Sequence, residues 1–296
     1  LHHPGLTALG GDRPGADPAS SGVWVESHAC SPRVRDHLPM LTVTQNVEYQ
    51  GGYAVTRTGG ARKPFPFLIS TMLAGAYIGI ADVFMFTAAG PMKEAGDPWA
   101  PLVGGLVFGI GLILCVFAGG ELATSAMMTF TIGGARKSIT WAKGVGVLLF
   151  MLVGNLLGSI VLAYLVHLSG VLGPETAGGA MLAAAVLNKG SHYTAIQLFA
   201  RGIMCNVLVC LAIWCVTRST SEVAKMIAMA WCLAAFVTSG FEHVVANMTT
   251  FALGIFEGVD GGTLAAAARN ILIVGAGNIV GGAVFVALAY LAAHKI

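Results

Sequence analysis

Long apolar stretches alternate with short polar segments from residue 65 to the end of the chain. Six such blocks run approximately over residues 65–89, 101–132, 139–169, 193–216, 223–256 and 264–293. A helix needs about 20 predominantly apolar residues to cross a bilayer, and every block reaches that length. The pattern therefore predicts an all-α membrane protein with six transmembrane helices.

Blocks two and five each carry a polar, glycine-containing insert part-way along. The inserts are Gly-Gly-Glu-Leu-Ala-Thr-Ser at 119–125 and Ser-Gly-Phe-Glu-His at 239–243. Backbone groups freed inside a bilayer are tolerated only where protein covers them or where they line a cavity. We therefore predict that helices 2 and 5 are broken at the membrane midplane, beside a pore or a binding site.

An internal repeat relates the two halves of the predicted membrane region. Blocks two and five match at an offset of 121 residues, through Gly119/Gly240, Glu121/Glu242, Met127/Met248, Thr129/Thr250, Phe130/Phe251 and Gly133/Gly254. Blocks three and six share Gly-Asn-x-x-Gly, at 154–158 and 277–281. Three predicted helices separate each element from its copy, and an odd number of crossings inverts the second copy. The sequence thus predicts a 3+3 inverted repeat.

The first fifth of the chain has a different composition. Residues 1–61 are rich in Pro, Gly, Ser, Asp, Arg and His and contain no apolar run. We expect a disordered or loosely attached tail over 1–61 and a transmembrane transporter domain over 62–296. The Gly51-Gly52 and Gly59-Gly60 pairs argue against a helix over 41–62. Met40 is the first methionine, which raises the alternative that residues 1–39 are not translated in the cell.

Composition and charge exclude several classes of protein. Only 10% of the residues are charged and the mean hydropathy is +0.77, whereas soluble domains carry about 25% charged residues. The net charge of +2 gives no field that would recruit nucleic acid. The six cysteines form no C-x-x-C pair and lie near no histidine at zinc spacing. We expect no metal, no cofactor and no enzymatic activity.

The basic residues of the short loops are distributed unequally between the two sides of the predicted membrane. If the amino terminus is cytoplasmic, the opposite side keeps only Lys93, Lys189 and Arg269. The cytoplasmic side then receives Arg57, Arg62, Lys63, Arg136, Lys137, Lys143, Arg218, Lys225 and Lys295. This asymmetry predicts a multi-pass protein of the cell (inner) membrane with both termini cytoplasmic.

The predicted breaks carry the candidate chemistry. His243 is a titratable side chain inside a membrane segment, which marks a functional site by default. The alternative interpretation of His243 is a neutral, structural histidine that forms a hydrogen bond with the loop backbone. Thr124 offers a hydroxyl at the other break, and Asn247 lies one turn beyond His243 on the same face. Helix N-termini near Thr124 and Val244 would favour a small anion.

Other polar residues of the blocks receive more modest interpretations. Asn206, inside block four, donates either to an anion or to a neighbouring helix. Glu121 and Glu242 would repel an anion, so we interpret them as structural, bonded to loop amides or to a cation. Asn155 and Asn278 are assigned to helix packing together with the neighbouring Gly-x-x-x-Gly pairs. Arg201 is given no role in a pore.

The blocks resemble the formate/nitrite transporter family. The resemblance rests on three stretches: Phe-Gly-Ile-Gly-Leu-Ile-Leu-Cys at 108–115 with the insert that follows, Arg-Gly-Ile-Met-Cys-Asn-Val-Leu-Val-Cys-Leu-Ala-Ile-Trp at 201–214, and Phe-Val-Thr-Ser-Gly-Phe-Glu-His-Val-Val-Ala-Asn-Met at 236–248. With the two Gly-Asn pairs they cover about residues 63–293. The resemblance implies an aquaporin-like six-helix protomer in a homopentamer, surrounded by membrane lipid, with an anion pore in each protomer.

The resemblance also implies roles for individual residues. His243 and Thr124 would contact the anion at the centre, Asn206 would be the polar residue inside the fourth helix, and Lys189 would draw anions in from outside. Lys189 lies one residue further from Asn206 than the family pattern has it, so His192 is an alternative for that task. Leu112 and Phe236 would form the inner constriction. Phe108, Val209 and Ala123, which stands where formate channels usually have phenylalanine, would form the outer one.

These observations predict a channel or transporter for small monovalent weak-acid anions. Residues 229–236 and 246–253 resemble nitrite channels more than formate channels, which makes nitrite the first choice. Our hypothesis is that the anion takes up a proton at the centre, directly or through His243. The alternatives are proton-coupled transport of formate, hydrosulfide or lactate, and an aquaporin-like channel for neutral solutes. A haem protein is poorly supported, because His167, His243 and His294 lie in three different blocks.

Overall fold

The structure is a computed structural model that describes residues 40–294. Every regular element in this range is a helix. The elements are α1 (Val43–Gly60), α2 (Pro64–Glu94), α3 (Ala100–Phe108), α4 (Ile110–Leu114), π1 (Cys115–Gly119), α5 (Ala123–Ala135), α6 (Trp141–Ser169), α7 (Ala177–Leu187), π2 (Asn188–His192), α8 (Ala195–Arg218), α9 (Glu222–Thr238), α10 (Val244–Phe256), α11 (Leu264–Val280), π3 (Gly281–Leu288) and α12 (Ala289–Ala293). The predicted all-α class is confirmed.

Five helical stretches of the described chain are long and apolar enough to cross a membrane. They are Pro64–Glu94, Ala100–Gly119, Trp141–Ser169, Ala195–Arg218 and Leu264–Ala293. The fifth block of the sequence is divided between α9 and the short apolar helix α10, and neither reaches the length of a full span by itself. A sixth crossing made jointly by α9 and α10, and the inverted repeat, remain predictions.

Residues 43–60 form a helix, which corrects the expectation of a tail that extends to residue 61. Thr42 caps α1 through a reciprocal capping box with Gln45. Asn46 donates from Nδ2 to the carbonyl of Trp214 at 3.3 Å, so α1 is fixed to α8. Gly51 allows a close approach, because a Cβ there would lie 3.2 Å from the Ser138 hydroxyl. Gly51 therefore serves packing, whereas a Cβ on Gly52 or Gly59 would meet no atom within 4 Å. Residues 1–39 lie outside the described part of the chain.

Two pairs of helices cross closely through the glycines that the sequence assigned to packing. A Cβ on Gly158 of α6 would collide with the carbonyl of Met72 in α2. A Cβ on Gly281, at the start of π3, would collide with the carbonyl of Ile203 in α8. Only glycine permits such contacts. These small residues thus pack helices within one chain, and they bring Asn155 and Asn278 against the two interruptions described next.

Candidate functional site

The first helix interruption is bonded by an asparagine from α6. The stretch formed by α3, α4 and π1 ends at Gly119, which has a φ of +85°, and α5 begins at Ala123. Asn155 accepts the amide of Ala123 at 3.0 Å, and its Nδ2 donates to the carbonyls of Thr71 at 2.7 Å and Glu121 at 3.0 Å. These bonds satisfy backbone groups that the interruption would otherwise leave unpaired.

The second interruption is bonded in the same way by an asparagine from α11. α9 ends at Thr238 and α10 begins at Val244. Asn278 accepts the amide of Val244 at 2.9 Å, and its Nδ2 donates to the carbonyls of Gly202 at 2.7 Å and Glu242 at 3.0 Å. Asn155 and Asn278 therefore do more than pack helices, because each holds one interruption through equivalent hydrogen bonds.

His243 and Thr124 meet where the two interruptions approach each other. His243 precedes α10 as its N-cap, and its Nδ1 accepts the amide N–H of Ala246 at 3.1 Å. Its Nε2 lies 2.9 Å from Oγ1 of Thr124, and both residues are buried. Because Nδ1 accepts a backbone proton, the neutral ring carries its own proton on Nε2 and donates it to Thr124. The hydroxyl proton of Thr124 is then free for another acceptor.

The first turns of α5 and α10 both contribute to this point of contact. Thr124 is the second residue of α5, and His243 immediately precedes α10. A helix N-terminus carries a partial positive charge and unpaired backbone N–H groups. The structure therefore brings together the two N-termini that the sequence predicted. Together they can stabilise negative charge beside the hydroxyl.

A narrow apolar gap adjoins the His243 ring. Its lining residues are Ile78, Phe108, Leu112, Leu122, Val209, Leu233, Phe236 and His243, and they enclose no space for a water molecule. The rings of Phe108 and Phe236 meet edge to face, 5.5 Å apart. Four of the five predicted constriction residues therefore lie together. A solute can therefore pass only if these side chains move.

The structure pairs the constriction residues differently from the expectation. Phe108 and Phe236 line the gap and also a second cavity, which contains Lys189 and is described next. Leu112 and Val209 line only the gap. Phe108 lies one turn before Leu112, nearer to Lys93, which explains the difference in depth. Ala123 lines neither space. Its side chain is buried in an apolar cluster with Ala54, Phe67, Ala126, Phe130, Ile139, Val147 and Met151.

A cavity of about 190 Å³ with both polar and apolar lining residues lies on the other side of the two phenylalanines, and we call it the vestibule. Its polar lining consists of Asp82, Lys93, Asn188, Lys189, Tyr193, Glu242, His243, Asn247 and Thr250. Nζ of Lys189 lies 2.8 Å from Oε2 of Glu242 and 2.9 Å from Oδ1 of Asn247. The structure thus brings Lys189, His243 and Asn247 to one cavity.

His192, the alternative to Lys189, lies elsewhere. It is exposed, and its Nδ1 contacts Oδ1 of Asn188 at 3.0 Å. It is absent from the lining of the vestibule. The π turn Asn188–His192 explains the separation, because it directs Lys189 inward and His192 outward. Lys189 is the better candidate for attracting an anion into the vestibule.

Asn206 lies behind Thr124, between helices. Its Nδ2 donates to the carbonyls of Thr124 at 3.2 Å and Asn278 at 2.7 Å, and it approaches Sδ of Met127 at 3.3 Å. Its amide protons are therefore used by the surrounding helices. Of the two interpretations of Asn206, the contacts favour the bond to a neighbouring helix over donation to an anion.

Both glutamates of the repeat form ion pairs with basic side chains. Glu242 pairs with Lys189, and Oε2 of Glu121 lies 2.8 Å from Nε of Arg57, although that N–H is not aligned for a hydrogen bond. Burial lowers the pKa of Arg57, but Glu121 and Tyr53 raise it, and the net pKa lies above its ordinary value. The guanidinium is therefore charged, and it fixes α1 to the first interruption.

Two residues near the vestibule acquire contacts that the sequence did not predict. Arg201 donates from Nη1 to the carbonyl of Gly240 at 2.7 Å, and its guanidinium lies 4.0 Å from the centre of the Tyr193 ring. It therefore supports the second interruption. Asp82 of α2 was missed altogether, although a single carboxyl group inside an apolar block is a recognised signal of function. It is buried and lines the vestibule.

Comparisons with known proteins match most of the chain. A family described as formate/nitrite transporter matches residues 43–292. The chain is 40% identical over 234 residues to the nitrite transporter NirC of Escherichia coli (strain K12), which covers 78% of this chain and 84% of NirC. It is 32% identical over 273 residues to the formate channel FocA of the same strain, covering 86% of this chain and 94% of FocA.

Solved structures show the same similarity. One, described as an FNT family ion channel, superposes with a TM-score of 0.79 at 37% identity and covers 84% of this chain and 99% of its own. Another, described as a pentameric formate channel with formate bound, has a TM-score of 0.68 at 30% identity and covers 80% of this chain and 99% of its own. The range matched by the family, residues 43–292, includes both interruptions and the residues that line the vestibule.

Proposed function

Because the chain belongs to the formate/nitrite transporter family, we propose that it moves small monovalent weak-acid anions across a membrane, with nitrite as its first substrate. The family resemblance inferred from the sequence is confirmed, and membership makes the protein a membrane transporter. The higher identity to a nitrite transporter than to a formate channel supports nitrite. Formate is the alternative substrate.

The observation that carries this proposal is the 2.9 Å contact between Thr124 and His243 at the N-termini of α5 and α10. It supplies a hydroxyl donor, a titratable ring and two positive helix ends at one point. The His243 ring borders both the apolar gap and the vestibule, and the vestibule contains the partly buried ammonium group of Lys189. A vestibule that contains a cation, followed by an apolar gap, suits a solute that enters as an anion and crosses as a neutral acid.

Electrostatics explain why a proton is needed. An anion that loses its hydration in an apolar gap pays tens of kcal/mol in the idealised limit. Lys189 offsets about 4 kcal/mol at 4 Å with an effective dielectric of about 20, and a helix N-terminus offsets up to about 2 kcal/mol. These terms do not cover the cost, so the anion is expected to take up a proton before it passes the gap.

The hydrogen bonds define how Thr124 and His243 would act. Thr124 accepts from Nε2 of His243, which leaves its own proton for an oxygen of the anion. Thr124 is buried and lines neither the gap nor the vestibule, so this contact requires the side chains of the gap to move. For His243 itself to give up a proton, the ring must first be charged, and a proton on Nδ1 would displace the amide of Ala246. We therefore assign Thr124 the direct contact and His243 the positioning of Thr124 and the relay of a proton.

The proposed architecture follows the sequence prediction. The chain would cross the inner membrane six times as a 3+3 inverted repeat with both termini cytoplasmic and both interruptions at the midplane. The equivalent hydrogen bonds of Asn155 and Asn278 support this repeat. Five such chains would form a homopentamer embedded in lipid, with one pore in each protomer, a proposal supported by the pentameric neighbour.

Uptake by proteoliposomes tests the proposed function. Nitrite and formate are offered at equal concentration with and without an inward proton gradient, and protein-free vesicles measure leakage of the neutral acids. We expect nitrite uptake to exceed formate uptake and to accelerate with the gradient. Equal uptake of both anions, indifferent to the gradient, would indicate an unselective anion channel. Uptake of neither would overturn the proposed function.

A further inference from the structure

Asp82 is a buried carboxyl group that faces the vestibule without a cation bonded to it. It lies on α2 one turn beyond Ile78 of the apolar gap, and its side chain is 2% exposed. Within residues 40–294 its hydrogen-bond partner is the Thr250 hydroxyl, at 3.5 Å from Oδ2. That distance is at the limit of a hydrogen bond. The packing of α2 does not explain why a carboxyl group is buried at position 82.

The charged and titratable groups that line the same vestibule come from two neighbouring segments and from α2 itself. They are Lys189 and Tyr193, Glu242 and His243, and the exposed Lys93. The ammonium group of Lys189 is already bonded to Glu242 and Asn247. The buried part of the vestibule thus holds two carboxyl groups and one ammonium group, so its charge depends on Asp82.

The two protonation states of Asp82 have opposite effects on an anion. An ionised Asp82 gives the buried groups a net negative charge, which opposes a second anion at short range. A protonated Asp82 leaves Lys189 and Glu242 balanced, and its O–H becomes a hydrogen-bond donor beside the cation. An anion can then lie between two donors. The vestibule therefore binds an anion well only when it also holds a proton.

We propose that Asp82 couples anion binding in the vestibule to the uptake of one proton, which makes it a specificity-determining residue for weak acids. The proton comes from solvent on the vestibule side, and it remains on the Asp82 carboxyl or moves to an oxygen of the bound anion. When the proton moves to the anion, the neutral acid leaves for the gap, and the ionised Asp82 carboxylate takes up the next proton from solvent. The inference rests on the proposed function and adds a second proton-binding group to it.

The test is the pH dependence of the KM for nitrite in proteoliposomes, measured from about pH 5 to about pH 9, the range in which a buried carboxyl group can titrate. With wild-type protein, KM should rise by about tenfold per pH unit once Asp82 ionises, because one proton binds with each anion. Asp82→Asn is uncharged at every pH and should lose this rise. Asp82→Glu should retain it, with a shifted midpoint.

A matched control and a second neutral variant complete the design. Glu94→Gln removes an exposed acid from the last turn of the same helix and should leave the KM profile unchanged. Asp82→Ser replaces Asp82→Asn if the latter does not elute as the wild-type assembly. Identical KM profiles for wild-type protein and a folded neutral variant would overturn the inference while leaving the proposed function intact. Failure of wild-type protein to transport would instead remove the proposed function.

Discussion

At the level of single residues, the position of His243 as a helix cap limits the chemistry it can perform. Its Nδ1 is used by Ala246, and its Nε2 reaches Thr124. A histidine in a break, with Asn247 one turn beyond it, was predicted from the sequence pattern, whereas Lys189 was implied only by the family resemblance. The bond between His243 and Thr124 was implied only by the family resemblance, because the two residues are far apart in the chain.

Replacement of His243 by asparagine separates capping from proton transfer. The side-chain oxygen of asparagine is a good N-cap, so the unfolding free energy should stay within about 1 kcal/mol of wild type. The shorter side chain neither reaches Thr124 nor takes up a proton near neutral pH. Nitrite uptake should fall by about a hundredfold and lose its response to a proton gradient.

His192→Asn is the matched control for this replacement, because His192 is exposed and outside the vestibule. It should transport nitrite at the wild-type rate. A His243→Asn protein that keeps full uptake at every pH would rule out a proton relay through the ring.

At the level of elements, the two interruptions depend on contacts that only the fold supplies. In the structure, one helix ends and another begins at each of the two polar inserts. The sequence did not reveal that Asn155 and Asn278 pair with the freed backbone groups, since Gly-Asn-x-x-Gly is equally consistent with packing. The prediction that residues 41–62 form no helix was wrong. It rested on the paired glycines and overlooked the Thr42–Gln45 capping box, which indicates the start of a helix. Tertiary contacts to α8, such as the hydrogen bond from Asn46 to the Trp214 carbonyl, stabilise α1 as a helix.

Removal of either asparagine should destabilise the fold to a similar extent. Asn155→Leu and Asn278→Leu each leave one amide and one carbonyl of an interruption without a partner, and each buried unpaired group costs about 1–3 kcal/mol. We expect both variants to show clearly lower thermal unfolding midpoints in detergent than wild-type protein. Ser159 lies on the same helix as Asn155 and makes one long hydrogen bond to the Gly75 carbonyl of α2. Ser159→Ala removes only that bond and should change the midpoint little. Midpoints equal to that of Ser159→Ala would contradict the assigned role.

At the level of the whole molecule, composition and hydrophobic pattern sufficed to identify a helical membrane protein, and the motifs sufficed to identify its family. The depth of each constriction residue and the buried acid Asp82 required the structure. Phe108 and Leu112 illustrate the reason, because their spacing in sequence does not say which one borders the vestibule. Charge in the vestibule likewise depends on three segments that are distant in the chain. Long-range assembly, rather than local pattern, determines these features.

The central claim is that the anion crosses together with a proton, as a neutral acid. Luminal pH, recorded with a trapped dye while nitrite is added outside proteoliposomes, tests it most directly. The account predicts that the lumen acidifies by one proton per nitrite, faster than in protein-free vesicles and independently of an imposed membrane voltage. Protein-dependent nitrite entry without acidification, at a rate that follows the voltage, would contradict it.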